Sequence, residues 1–308
     1  MKKNIIYLLL IIFSTFLNAN EKVVLQLKWF HQFQFAGYYA AKEKGFYDEV
    51  GLDVEIKQRD LKYNNIDEVI NGNAQYGVAD SILILYRLKQ QPVVIVSPIF
   101  QHSPSVFISL KKKNISSIYE LNNKDILFYP NDTDGFSLLA MIKKFDLDVN
   151  LIRERYKDDY MRLINNEVDA MPAYIANEPF LLKEKGYDVN IINPNNYGFD
   201  IYGDMLFTNE DEAKNNPDRV EKFKEATLKG WKYALENKEE IIQLISEKYS
   251  KEKSIEHLRY EANAIDSLIN KDVTPLGYLD QGRIRYISEM YEYYGLTESK
   301  IDLNDFLF

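Results

Sequence analysis

The sequence contains no cysteine, and histidine occurs only three times in 308 residues. Without cysteine the chain has no disulfide bond, no thiolate zinc site and no thiol to carry a lipid anchor. The histidines, His31, His102 and His257, do not have the spacing of metal ligands. A glycine-rich phosphate loop and a Gly-x-Ser-x-Gly nucleophile elbow are also missing. These absences argue against a metalloenzyme, a thiol enzyme and a nucleotide-dependent enzyme.

The chain also lacks an excess of basic residues. It has 38 Lys and Arg against 47 Asp and Glu, which gives a net charge of −9. An acidic protein is poorly suited to bind nucleic acid or an anionic membrane. Hydrophobic residues make up 46% of the chain, so a sizeable core is available in a chain long enough for two domains. The 23 tyrosines suit a polar cleft walled by aromatic rings.

Residues 1–19 have the pattern of a secretory signal peptide. Lys2 and Lys3 form the basic start, residues 5–13 the apolar centre and residues 17–19 a small-residue cleavage site. The apolar run is too short for a membrane anchor, since a spanning helix needs about 20 residues. We therefore expect cleavage and export to the periplasm of a Gram-negative cell.

The stretch 27–56 organises the rest of the chain. Residues 23–27 predict a strand, 37–44 a helix and 52–56 a second strand, which is the size of a βαβ unit. Aromatic and amide side chains lie at the end of the first strand and the start of the helix, where α/β sheets bind ligands. We expect a ligand to meet Trp29, Phe30, Gln32, Phe35 and Tyr38.

A second α/β unit follows the first. Residues 74–78 predict a buried strand, and Asp80 and Ser81 come just before the next helix. Their side chains either cap that helix or meet a ligand at its free N–H groups, and the sequence leaves both interpretations open. Residues 93–100 predict another buried strand, and Ser103 follows it where the chain crosses into a second domain.

The second domain contributes further polar candidates. Its loop at 130–135 is rich in turn residues, and the negative charge of Asp134 there favours a neutral or cationic ligand over an anion. No convergent Lys or Arg is evident in the loops that we assign to the cleft. Glu178 precedes a proline at a helix start, so it can be a surface cap, and its placement in the cleft is implied only by the family resemblance given below. The other candidates of this domain are Tyr174, Asn177 and Tyr202.

Four stretches of the chain resemble, in order, the NMT1/THI5-like family. They read KWFHQFQFAGYYAAKEKGFYDEVGLDVEI, GNAQYGVADSILILYRLKQQPVVIVSPIF, YIANEPFLLKEKGYDV and NNPDRVEKFKEATLKGWKYALEN. The resemblance implies an α/β protein with the two-lobed periplasmic binding protein fold of type II, its ligand cleft lying between lobes joined by two crossovers. Lobe 1 would comprise residues 20–105 and 206–308, and lobe 2 residues 106–205.

The resemblance also implies a function. The chain would bind a thiamine pyrimidine precursor, of the hydroxymethylpyrimidine or formylaminopyrimidine type, as a monomer without a cofactor. Lobe closure would hold the ligand for the permease and ATPase of an ABC importer. Because the same module is attached to sensor proteins in some bacteria, a separate membrane sensor is an alternative partner. Another small organic molecule, such as a sulfonate, is an alternative ligand.

The family includes the eukaryotic pyrimidine synthase, which is similar to this chain but differs at the residues of its chemistry. That enzyme uses a histidine-bound pyridoxal phosphate and a cysteine-rich iron motif. In the stretch GVADSILIL, Leu83 stands at the position of the cofactor-binding histidine, and the cysteines are missing. Relatives also commonly carry a histidine where this chain has Phe35. We therefore expect a binding protein and not an enzyme, with other ligands still open.

Overall fold

The computed structural model describes residues 20–130, 135–154 and 159–308. The predicted signal peptide and Asp134 lie outside the described residues. The strands are β1 (Glu21–Gln26), β2 (Leu52–Lys57), β3 (Tyr76–Ala79), β4 (Val93–Pro98), β5 (Ser105–Leu110), β6 (Asp125–Leu127), β7 (Asn150–Ile152), β8 (Met171–Tyr174), β9 (Val189–Ile192) and β10 (Met205–Asn209). The helices are α1 (Ala36–Glu43), α2 (Phe46–Glu49), α3 (Asn65–Ile70), α4 (Ile82–Leu88), α5 (Phe136–Lys144), α6 (Tyr160–Ile164), α7 (Glu178–Glu184), α8 (Glu210–Asn215), α9 (Pro217–Glu236), α10 (Lys238–Lys248), α11 (Ile255–Ile269) and α12 (Gln281–Tyr293).

The first sheet has the strand order β2-β1-β3-β10-β4. Strand β1 pairs in parallel with β2 and β3, so the predicted βαβ start of the chain is confirmed. Strand β10 returns from the second half of the chain and runs antiparallel to β3 and β4. Every residue of β3 and β4 is buried, which is why both read as continuous apolar runs.

The second sheet is built from the part of the chain between β4 and β10. Strand β5 pairs antiparallel with β8 and β9, and β6 pairs in parallel with β7. A bridge between Ile126 and Ala170 attaches the β6–β7 pair beside β8. The parts of the protein built around the first and second sheets are called lobe 1 and lobe 2 below. The chain passes from the first sheet to the second after β4 and returns to the first with β10.

Helices α9 and α10 follow each other directly in the chain, and the glycine at position 230 does not separate them. Helix α9 continues through Gly230, and the chain bends instead at Asn237, whose backbone leaves the helical region. Gly230 packs against α1 so closely that a side chain would have no room. The glycine thus serves packing between helices and not a break within one.

Candidate functional site

A cleft with a volume of about 330 Å³ lies between the lobes. Its walls come from the segments that follow β1, β3 and β8, from the start of α5 and from the segment that precedes β10. The ends of β1 and β3 lie at one edge of the first sheet because these strands are parallel, and the start of β10 lies at the same edge because β10 is antiparallel to β3. This is the edge at which α/β folds bind ligands. The volume falls at the lower end of the range for small-molecule sites.

The floor of the cleft holds one lysine between two aspartates. The Lys28 ammonium lies 2.7 Å from Asp80 Oδ2 and 3.1 Å from Asp204 Oδ1. Gln34 Nε2 donates to the other oxygen of Asp204 at 2.6 Å, and the Ile82 N–H donates to Asp80 Oδ1 at 3.0 Å. Both carboxylates are therefore held in fixed orientations. The side chain of Asp80 is 44% exposed and that of Asp204 only 2%, so Asp80 presents the acidic face to a ligand.

The charges of this cluster stabilise one another. Burial lowers the pKa of Lys28, but the negative charges of Asp204 and Asp80 outweigh burial and leave that pKa above its usual value. Desolvation raises the pKa of Asp80, but the charge of Lys28 outweighs it and leaves that pKa lowered. Burial raises the pKa of Asp204. Lys28 and Asp80 are thus held in their charged forms.

The register of the first sheet explains why Asp204 and Asp80 meet. Met205 at the start of β10 lies opposite Ala79 at the end of β3, so the next pair of residues along the edge is 204 and 80. Sequence reasoning missed Asp204 because 124 positions, counted from their residue numbers, separate it from Asp80. Lys28 and Gln34 were also missed, although Gln34 belongs to the aromatic and amide run that the sequence singles out and Lys28 directly precedes it.

Lobe 2 supplies a tyrosine and a glutamate to the opposite wall. The Tyr174 N–H donates to Glu178 Oε2 at 2.7 Å, which holds the carboxylate against the cleft. The Tyr174 hydroxyl is buried and makes no hydrogen bond of normal geometry to a described residue. Burial and the charges of Asp204 and Asp80 raise its pKa well above the usual value, so the hydroxyl keeps its proton. The Asp204 carboxylate interacts with this hydroxyl, so Tyr174 belongs to the same polar cluster as Lys28 and Asp80.

Trp29 provides the aromatic surface at the cleft mouth. Its side chain is 41% exposed, and its ring meets Phe30 edge to face with centroids 5.3 Å apart. Arg59 and Leu61 line the same part of the cleft, and the Arg59 guanidinium donates to Asn65 Oδ1 at 2.6 Å. An exposed ring at a cleft mouth can stack on a flat ligand.

Most of the predicted site residues are brought together in this cleft. The ones that line it are Trp29, Gln32, Asp80, Ser81, Ser103, Tyr174, Asn177, Glu178 and Tyr202. Asp80 combines the two roles left open by the sequence, because it caps α4 and also faces the cleft. The Ser81 hydroxyl already makes a hydrogen bond within the protein, since it donates to the Tyr202 carbonyl at 2.7 Å.

Three of the predicted aromatic contacts need correction. Phe35 and Tyr38 are fully buried in the core of lobe 1 and do not line the cleft, because the turn into α1 points them at the packed helices. Tyr38 instead meets Trp231 edge to face at 5.8 Å. Phe30 supports Trp29 from outside the cleft lining. A family histidine at the position of Phe35 would thus stand in the core of this chain.

The expectation that no basic side chain converges on the cleft is also wrong, because Lys28 and Arg59 line it. Lys28 was overlooked because it directly follows a strand in a run dominated by aromatic residues. Its charge, however, is matched by two carboxylates. No group of three or more His, Asp or Glu side chains that could hold a metal occurs among the described residues. Within the same part of the chain, no helix has the length and apolarity needed to cross a membrane.

Comparison with known proteins gives a family and a fold. The model of the family described as NMT1/THI5-like matches residues 32–241. The riboflavin-binding protein RibY of Chloroflexus aurantiacus is 26% identical over 236 residues, which cover 73% of this chain and 65% of that protein. The formylaminopyrimidine-binding protein of Halalkalibacterium halodurans is 25% identical over 233 residues, covering 74% and 70%. The match thus spans slightly less than two thirds of the length of the first relative.

A solved structure supports the architecture. The periplasmic aliphatic sulphonate binding protein SsuA of Escherichia coli has a TM-score of 0.70 and 12% identity, with 94% of this chain and 92% of that chain covered. At this identity the likeness shows the fold alone, which is the periplasmic binding protein fold expected from the sequence. The names of these three proteins support a solute-binding role, and they specify three different solutes.

Proposed function

The chain belongs to the NMT1/THI5-like family, and from this membership and the chemistry of the cleft we propose that it is the solute-binding protein of an ABC importer. The proposed ligand is an aminopyrimidine precursor of thiamine, of the hydroxymethyl or formylamino type. The proposed location is the periplasm, and the proposed partners are a permease and an ATPase. The protein would act as a monomer and without catalysis.

The observation that carries the proposal is the pairing of an aromatic surface with hydrogen-bond acceptors on two walls of one cleft. An aminopyrimidine is flat, and stacking on an aromatic ring adds about 0.5–1.5 kcal/mol beyond burial. Trp29 offers that ring from lobe 1. The ring nitrogens and the amino group of the ligand need acceptors and donors. Glu178 from lobe 2 and Asp80 from lobe 1 present carboxylates to the same cleft.

The relatives support a flat nitrogen heterocycle. One is named for formylaminopyrimidine and another for riboflavin, and both solutes present a planar ring with nitrogen atoms along its edge. The volume of about 330 Å³ favours the smaller of the two. Riboflavin is therefore the main competitor in any binding test.

The lining also favours binding over chemistry. Among the described residues that line the cleft there is no histidine, so no imidazole is placed there to activate a hydroxyl. The Ser81 hydroxyl already donates to a backbone carbonyl. We propose that the site holds its ligand by stacking and hydrogen bonds alone.

Titration calorimetry with a hydroxymethyl aminopyrimidine and a formylaminopyrimidine tests the proposal. We expect the wild type to bind at least one of them, and Glu178→Gln to weaken binding by about tenfold or more. A charge-assisted hydrogen bond contributes about 1.5–3 kcal/mol, and about 1.4 kcal/mol corresponds to a factor of ten. Glutamine can still accept from the Tyr174 N–H, so the wall should keep its shape.

The matched control is Glu239→Gln on α10, where the carboxylate pairs with Arg259 at the surface. This variant should bind like the wild type. The proposed ligand is wrong if no aminopyrimidine binds, or if riboflavin or an alkanesulfonate binds more tightly. If Glu178→Gln and the wild type have equal affinity, Glu178 does not contribute to ligand binding.

A further inference from the structure

The lysine on the cleft floor is not available to an anionic ligand. Its ammonium group is hydrogen-bonded to Asp80 at 2.7 Å and to Asp204 at 3.1 Å. Only 20% of the Lys28 side chain is exposed, and the two partners enclose its charge from both sides. A phosphate or sulfonate that approached Lys28 would have to displace a carboxylate that the fold holds in place.

The cluster as a whole carries a net negative charge. One lysine faces two aspartates, and the excess charge is presented by Asp80, whose side chain is 44% exposed, while that of Asp204 is 2% exposed. Glu178 adds a second carboxylate from the opposite lobe. Arg59 adds a positive charge at the mouth, where it donates to Asn65. The corner around Lys28, in contrast, offers acceptors to a ligand donor and repels a ligand anion.

A buried hydroxyl lies in the same corner. The Tyr174 hydroxyl is close to the charges of Asp204 and Asp80, and its hydrogen bond with Asp204 departs from normal geometry. A hydroxyl can donate to a ring nitrogen or accept from an amino group. A ligand that places both kinds of atom side by side satisfies Tyr174 and Asp80 together.

We propose that the corner formed by Lys28, Asp80, Asp204 and Tyr174 determines ligand charge. It admits neutral or cationic heterocycles that donate N–H groups, and it excludes their phosphate esters and sulfonated molecules. This inference rests on the proposed function and adds to it that the pyrimidine is bound without a phosphate group. Lys28 acts here as a positioning residue that holds Asp80 in its acceptor role.

The test compares a hydroxymethyl aminopyrimidine with its phosphate ester by titration calorimetry. We expect the wild type to bind the alcohol at least about tenfold more tightly than the ester, a ratio that corresponds to about 1.4 kcal/mol. The variant Asp80→Asn keeps the size of the side chain and removes the excess charge. It should bind the ester more tightly than the wild type does, so the ratio of alcohol affinity to ester affinity should fall severalfold.

The control is Asp200→Asn. The Asp200 side chain is 43% exposed and pairs with His102 and Arg283, outside the cleft lining, so its loss should leave the ratio unchanged. If Asp80→Asn does not fold, the wild-type ratio is measured at low and high salt. Repulsion at a partly exposed carboxylate is screened by ions, so the ratio should fall as salt rises.

The outcomes separate this inference from the proposed function. Equal binding of alcohol and ester, tighter binding of the ester, or a ratio unaffected by both Asp80→Asn and salt would overturn the role of the corner while the proposed function stands. Binding of neither pyrimidine would overturn the proposed function and this inference with it.

Discussion

At the residue scale, the two tryptophans of the chain have opposite environments. The Trp29 side chain is 41% exposed at the cleft mouth, whereas that of Trp231 is 1% exposed in the core of lobe 1. Trp231 meets Tyr38 and Phe100 edge to face, with ring centroids 5.8 and 5.9 Å away. One ring is thus available to a ligand, and the other holds α1 and α9 together.

The two rings should respond differently to removal. We expect Trp29→Ala to weaken ligand binding while the free energy of unfolding of the unliganded protein changes little, because an exposed ring contributes little packing. Trp231→Ala should lower that free energy by about 3–5 kcal/mol, the usual cost of removing a buried large aromatic side chain. Urea unfolding of the unliganded variants measures both. A large loss of stability in Trp29→Ala would place that ring in the core and contradict the site.

The same scale shows a limit of sequence reasoning. Phe35 and Trp29 belong to one aromatic run, and composition alone cannot tell which ring faces the cleft. The backbone turn between β1 and α1 decides this, because it directs Phe35 into the core and leaves Trp29 outside.

At the scale of elements, α1 and α9 approach each other through two glycines. A Cβ atom on Gly37 would overlap the Trp231 ring, and one on Gly230 would overlap the Gly37 carbonyl and lie 2.6 Å from the Ala41 Cβ. Small residues permit this approach, and the buried faces of the two helices then form a continuous part of the core.

Gly230→Ala should therefore destabilise the protein. Helix propensity alone would favour alanine by about 1 kcal/mol, but overpacking of a close helix contact costs about 1–3 kcal/mol, and here the neighbour is backbone that cannot move aside. Chemical denaturation should show a net loss of stability. Gly282→Ala in α12 is the control, since its Cβ would have only the Asp280 carboxylate nearby, at 3.1 Å, and its stability should change little. A stabilised Gly230→Ala would contradict the close packing.

At the scale of the whole molecule, α11 and the residues just before it join lobe 1 to the segment of lobe 2 that lines the cleft. The Tyr260 hydroxyl donates to the Ile175 carbonyl at 3.1 Å, and Lys253 Nζ donates to Asn177 Oδ1 at 2.7 Å. The His257 ring stacks on Phe180 with centroids 4.7 Å apart. These contacts cross between the lobes, so they exist only while the lobes are close together.

We expect ligand binding to close the lobes about the two crossovers, which small-angle scattering should detect as a smaller radius of gyration. Tyr260→Phe removes one hydrogen bond across the lobes without touching the cleft. Because such a bond contributes about 0.5–1.5 kcal/mol, this variant should bind ligand a few-fold more weakly and be more open when unliganded.

Tyr233→Phe is the control for that experiment, because its hydroxyl donates to Glu240 within lobe 1. It should close and bind as the wild type does. A radius of gyration that stays the same at saturating ligand would count against lobe closure. If Tyr260→Phe has the radius of gyration and ligand affinity of the wild type, the hydrogen bond to Ile175 does not stabilise the closed form.

The sequence by itself determined the βαβ start of the chain, the α/β class and the edge of the first sheet at which the cleft lies. Apolar runs and helical periodicity depend on which residues become buried, and both can be read directly from the sequence. The rule that ligands bind at the carboxyl ends of strands then selected Trp29 and Asp80 from their positions along the chain, and the family resemblance added Glu178.

Only the tertiary structure decided which charges meet. Asp204 joins Asp80 because β10 returns antiparallel to β3 with Met205 opposite Ala79, and no local pattern specifies that register. The same pairing surrounds Lys28 with carboxylates and turns a basic residue of the cleft into part of an acidic corner. Electrostatic character depends on distances of a few ångströms between segments far apart in the chain, so it exists only once the chain is folded.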